Sequence, residues 1–232
     1  MVKSLLDSLL GGVKDLTAGQ SAGQIAGKAR AAWQGQSTLT KGAVAGGLLA
    51  MLLSGNARKL VGTGAKIGGA ALIGGLAFKA YEDWKNGKSV ANASPDDPIA
   101  LPKPTEAFLP SDQTDADALS QRLLQAMIAA AKADGQITPA ERARITDTLP
   151  QLGLGPEAQD LIIAELDTPL DIAAIAALAQ GEEQATEIYA ASLLAIDPDG
   201  AAEKGYLTLL AARLQLDPGL VDHLHARART LR

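Results

Sequence analysis

Cysteine is absent from this chain of 232 residues, and aromatic residues make up only 3% of it. The first absence excludes disulfide frameworks, thiolate zinc sites and cysteine nucleophiles. The second, together with the scarcity of β-branched runs, argues against a sheet-based core, so burial has to come from Ala and Leu on helical stripes. There are only two histidines, His223 and His225. On a helix they diverge by about 200°, so they cannot chelate one ion together, and they are expected at the surface. No P-loop, no Ser-His-acid constellation and no glycine motif in strand-to-helix context is present, so neither an enzyme nor a bound organic cofactor is expected.

What charge there is divides unevenly. Residues 1 to 93 hold 11 Lys and Arg against 4 Asp and Glu, whereas residues 94 to 232 hold 10 against 22. A basic, glycine-rich half suits anionic lipid headgroups, and an acidic helical half suits a soluble domain. The basic residues lack interleaved aromatics for base stacking, so nucleic acid is not expected as a partner.

Residues 1 to 41 are poor in large apolar groups after a short amphipathic start, MVKSLLDSLLGGVKDL, and are expected to be mobile or weakly helical. Residues 42 to 85 follow as a glycine-rich apolar segment. Gly42 to Leu53 is 12 uncharged residues, about 18 Å of helix and too short for roughly 30 Å of hydrocarbon. Leu60 to Ala77 is 18 residues interrupted only by Lys66, and is marginally long enough to span. Tyr81 and Trp84, with Lys79 and Lys85, fit an interfacial anchor. Gly64 and Gly68, Gly42 and Gly46, and the Gly68-Gly69 and Gly74-Gly75 doublets let helices approach closely, whereas in water each interior Gly costs about 1 kcal/mol of helix stability. The segment therefore reads as an apolar helical hairpin turning at Ser54-Gly55-Asn56, associated with membrane lipid and suited to self-association. A soluble segment packed on the helical domain is the competing reading.

Residues 86 to 113 contain Pro95, Pro98, Pro102, Pro104 and Pro110 and read as a linker. Beyond it, residues 114 to 232 repeat one helix-start chemistry, a capping Thr or Asp followed by proline: Thr138-Pro139, Thr168-Pro169, Asp197-Pro198 and Asp217-Pro218. Apolar stripes between these points predict six or seven short helices, an all-α bundle. AMIAAAKADGQITPAERARI and ASLLAIDPDGAAEKGYLTLL echo one another as helix, acidic turn and helix, which suggests a pseudo-symmetric pair of hairpins.

The acidic turns are the candidate metal ligands. Asp134, Gly135, Ile137 and Glu141 match the second half of an EF-hand loop, but the first and third ligand places fall on Ala130 and Lys132, which should abolish such a site. If the hairpins bring the turns together, Asp134, Glu141, Asp197, Asp199 and Glu203 supply enough oxygen ligands for one hard divalent cation. The plainer reading is that these carboxylates and Gly135 cap helix ends.

The run ARKLVGTGAKIGGAALIGGLAFKAYEDWKNGK, preceded by GAVAGGLLAMLLSGN and followed by a Pro-rich linker and an all-helical domain, resembles the YebE-like bacterial inner-membrane proteins, a family of unknown function. The likeness covers about residues 40 to 232. Through MIAAAKADGQITPAERARI and LLAIDPDGAAEKGYLTLLAARLQL the carboxy-terminal part resembles the TerB-like fold of tellurite-resistance proteins. That resemblance implies a bundle of about seven helices and divalent-metal binding at Asp134, Glu141, Asp197 and Glu203. The expectation is thus a non-enzymatic protein of the bacterial inner membrane with its helical domain in the cytoplasm, a tethered interaction or stress-response module with an unidentified protein partner; the alternative is a cytosolic metal-binding or metal-sensing protein.

Overall fold

Glycine ends the first helix among the described residues and decides where it ends. In a computed structural model, which describes residues 69–90, 105–108, 110–135, 137–148, 156–196 and 199–230, helix α1 (Gly69–Lys85) closes with Gly87 at φ +63°. The Gly87 amide donates to the Trp84 carbonyl at 2.9 Å and the Lys88 amide to the Asp83 carbonyl at 3.0 Å, the paired bonds of a Schellman cap. Seven further helices follow among the described residues: α2 (Gln113–Ala131), α3 (Pro139–Thr148), α4 (Pro156–Asp167), α5 (Ile172–Ala176), α6 (Glu182–Ala195), α7 (Ala201–Arg213) and α8 (Pro218–Thr230). No strand occurs among these residues, so the all-α expectation holds, and seven helices fall within 113–230.

The helix starts show which sequence signals act. Proline opens α3 and α8 as expected, and Asp217 Oδ1 accepts the Gly219 amide at 2.7 Å at the head of α8. Thr168-Pro169 instead terminates α4, where the Thr168 hydroxyl donates back to the Ala164 carbonyl. The next helix waits for Asp171, whose carboxylate accepts the Ala173 and Ala174 amides at 2.9 and 3.0 Å. A carboxylate offers two amides a better acceptor than the single Thr hydroxyl, so the cap lies three residues later than Thr168 suggests. Asp112 caps α2 in the same way. Asp197-Pro198 lies outside the described residues.

Helix α6 is the axis of the described bundle. Every residue from Ala185 to Ala195 is buried, an apolar surface on all sides that only a helix surrounded by others can carry. It packs against α1, α2, α7 and α8. The contacts fix directions. Arg122 reaches Gln184 and the Ser192 hydroxyl reaches the Ala126 carbonyl, so α2 and α6 run parallel. Tyr81 meets Glu182 while Gly74 meets Glu187, so α1 runs antiparallel to α6. A smaller apolar cluster of Leu124, Ile128, Ile145, Ile162 and Leu166 joins α2 to α3 and α4.

Packing crosses the boundary expected between the glycine-rich segment and the bundle. Ile73, Leu76, Ala77, Ala80 and Tyr81 of α1 belong to the same core as Leu123, Ile188, Leu193 and Leu224. From the Pro-rich stretch, Phe108 is 2% exposed and stacks against Phe78 and Tyr81 with ring centroids 5.6 and 5.4 Å apart. The end of the glycine-rich segment is thus the first helix of the bundle. The physical reason is period: Ile73, Leu76, Ala77 and Ala80 lie on one face at helical spacing, which a protein groove satisfies as well as lipid does. Among the described residues no helix is long and apolar enough to cross a membrane. Of the hairpin expected over 42–85, residues 42–68 with the turn at Ser54-Gly55-Asn56, which include the first nine residues of the Leu60–Ala77 run, lie outside the described residues, as does the amphipathic start.

The surface placement expected for the histidines also changes. His223 is buried at 6% exposure on the inner face of α8, and His225 lies 2.9 Å from the hydroxyl of the buried Tyr189. Their divergence stands, but a thirteen-residue helix wedged against both α1 and α6 has more than one buried face.

Candidate functional site

The sequence singles out two acidic turns, after α2 and after α6. Helix α2 ends at Ala131, and the turn after it puts Asp134 at the surface beside Gly135, at φ +149°. Lys132, the residue that spoils an EF-hand reading, has a structural task. Its side chain is buried and its ammonium donates to the Glu165 carbonyl and, at 2.7 Å, to the Thr168 carbonyl, closing the free carbonyl end of α4. Burial lowers the Lys132 pKa, against the pull of Glu165 and Asp167.

At the other turn, Glu203 folds back over Gly200 at the first turn of α7, where the positive end of the helix favours a carboxylate. Asp199 is exposed. The side chain of Glu141 and the whole of Asp197 lie outside the described residues. Because α2 and α6 run parallel, the two acidic turns stand at the same end of that helix pair. Among the described residues no three His, Cys, Asp or Glu side chains are grouped to hold a metal ion.

The densest polar chemistry lies elsewhere, where α1 meets α6 and α8. Asp83 is the centre. Its carboxylate, 4% exposed, accepts from Lys79 at 3.0 Å, Lys88 at 2.8 Å and Arg227 at 2.6 Å. Burial alone would raise its pKa, but the three cations win and hold its carboxyl well below the usual carboxylate range. Lys79 belongs to α1, Lys88 to the cap that follows it and Arg227 to α8, so one carboxylate ties the helix end, its cap and the last helix together. Nearby, the Tyr81 hydroxyl donates to Glu182 at 2.7 Å and the Lys85 ammonium sits 4.3 Å from the Tyr81 ring centre. Burial raises the Tyr81 pKa most, with the Lys85 hydrogen bond opposing it.

One turn and a half along α6 from Glu182, Glu187 is 0% exposed and neither carboxylate oxygen has a hydrogen-bond partner. Desolvation pushes its pKa up to about 9, so the group is neutral at pH 7. It faces Gly74 of α1. A methyl group added there would lie 3.2 Å from Glu187 Oε1 and 2.9 Å from the Phe108 carbonyl oxygen. Gly74 is therefore what allows α1, the 105–108 turn and Glu187 to close on one another.

Neither Asp83 nor Glu187 stands out from sequence as a site. A signal exists for each in retrospect: Asp83 sits four residues after one lysine and five before another, and Glu187 is the single acid inside an apolar run from Ala185 to Ile196.

Comparison with known proteins adds the family. The family described as a protein of unknown function (DUF533) matches residues 38–228. An uncharacterized protein in the ampR 5′ region of Yersinia enterocolitica is 33% identical over 109 residues, which covers 47% of this chain and 78% of that protein. No solved structure matches the chain.

Proposed function

The chain belongs to the DUF533 family, and on that footing we propose that it is a non-enzymatic helical interaction module, associated with the bacterial inner membrane through its glycine-rich run, with the bundle in the cytoplasm and a protein as its partner. We read the family as YebE-like and the bundle as TerB-like. The observation that carries this reading is the Asp83 clasp. It fixes the end of the glycine-rich run on the bundle, so whatever residues 42–68 bind is joined to the bundle without a flexible spacer at residues 69–85. Small residues in that run, Gly42, Gly46, Gly64 and Gly68, suit close helix association in lipid. The test is a carbonate wash of membranes from cells expressing the full chain and, separately, the chain from residue 69. The full chain stays in the pellet and the shorter one is released. Release of both ends the membrane reading.

The second reading, a divalent-cation module, is favoured by the parallel α2 and α6, which set the Asp134 turn and the Asp199 and Glu203 turn at one end of the pair. Calorimetric titration of the full chain with Ca, Mg and Mn decides it. Binding that Asp134→Ala and Asp197→Ala both remove supports the cation site; titrations without heat and without a change in Tm refute it.

A further inference from the structure

Glu187 is the one buried side chain described whose charge-bearing atoms are both left without a partner, and it lies in the seam that α1 covers. A carboxyl group in such a place tolerates burial only with its proton on. Uncovering it to water restores an ordinary acid that gives the proton up. We propose that Glu187 makes the docking of α1 proton-linked: the helix is latched over a protonated carboxyl, and loss of that proton at higher pH releases α1 and the Phe108 turn from α6. This device does not depend on the membrane reading.

Many of the charged and titratable groups on the surrounding elements are engaged elsewhere. On α1, Lys79 and Asp83 pair together and with Arg227 of α8, Glu82 takes Lys79, Lys85 sits over Tyr81, and Tyr81 bonds Glu182. On α2, Arg122 bonds Gln184. On α7, Tyr206 meets Ser192 and Glu203 turns back on Gly200; Lys204 and Arg213 are the cations of that helix. On α8, His225 meets Tyr189, and Asp222, His223 and Arg229 complete its set. In the 105–108 turn, Glu106 accepts from Ser111. None of these bonds the Glu187 carboxyl, and burial is the whole cause of its raised value. Docking raises the affinity of this carboxyl for its proton from the ordinary value of 4.5 to about 9. The latch is therefore at full strength below 4.5, weakens as pH rises through neutrality and is lost at about 9.

The test is amide hydrogen exchange of the full chain between pH 5.5 and 8.5, corrected for the intrinsic pH dependence of exchange, read on peptides from 69–85. In the wild type, α1 protection falls about tenfold per pH unit. In Glu187→Gln, which keeps the shape and cannot ionise, α1 protection is independent of pH, and groups shared by both proteins cancel in the comparison. A flat wild-type profile or the same slope in the variant overturns the proposal. Should the variant not fold, carboxyl carbon NMR of the wild type decides alone: a Glu187 titration midpoint above 7 supports the latch, and one below 7 overturns it.

Discussion

Asp83→Ala is expected to lower stability by about 3 kcal/mol, seen as a fall in Tm of roughly 10 °C for a domain of this size. The substitution removes the anion that, among the described residues, is bonded to both Lys79 and Arg227 across the α1 and α8 seam, and leaves the guanidinium of Arg227, 18% exposed, without its carboxylate. Breaking a buried pair from one side is costly because the remaining charge keeps its desolvation penalty. Lys88 contributes least, since its side chain is half exposed and water screens the pair. Acid sharpens the comparison. The folded-state pKa of Asp83 is depressed, so its stabilising effect is complete above the ordinary value of 3.8 and disappears as pH falls through the depressed one. Thermal unfolding measured from pH 7 down to pH 2 should therefore show the gap between wild type and Asp83→Ala narrowing with acid. An Asp83→Ala protein within about 0.5 kcal/mol of wild type at pH 7 would show that the clasp is an ordinary surface ion pair.

Much of the bundle could be read from residues alone because its helices announce themselves twice, by an apolar stripe and by a cap. Pro139 and Pro218 open helices where their spacing says they should, and the two echoing hairpins become α2 with α3 and α6 with α7. Thr168-Pro169 misleads because the same dipeptide that opens a helix also closes one, and only the competing acceptor Asp171 decides which. The allegiance of α1 was harder still. Ile73, Leu76, Ala77 and Ala80 present the same face to lipid as to a protein groove, and no local pattern in GAALIGGLAFKAYEDWK distinguishes the two. Nor does proline density tell that Phe108 turns inward onto Phe78 and Tyr81.

The candidate site was legible to a lesser degree. Acidic turns draw the eye because Asp and Glu cluster in sequence, yet Glu203 lies at a helix start and Lys132 closes a helix end. The chemistry of Asp83 and Glu187 is made by partners far away in the chain: Arg227 lies 144 residues from Asp83, and Gly74 belongs to a different helix from Glu187. No spacing rule joins such pairs.

Removal of α1 together with the 105–108 turn carries the largest effect of all. Ile73, Leu76, Tyr81 and Phe108 are each buried, and at about 2 kcal/mol or more apiece they account for some 8 kcal/mol of apolar burial. That is comparable to the whole stability of an ordinary domain, 5 to 15 kcal/mol. Without them Glu187, Ile188 and Tyr206 lose part of their cover or of the core they share. The decisive measurement is differential scanning calorimetry of two fragments, residues 69–232 and residues 113–232. If helix 69–85 is the first helix of the bundle, the longer fragment unfolds in one cooperative transition and the shorter one shows none. Two fragments with cooperative transitions at the same Tm would contradict this, and would return residues 69–85 to an appendage of an independent domain.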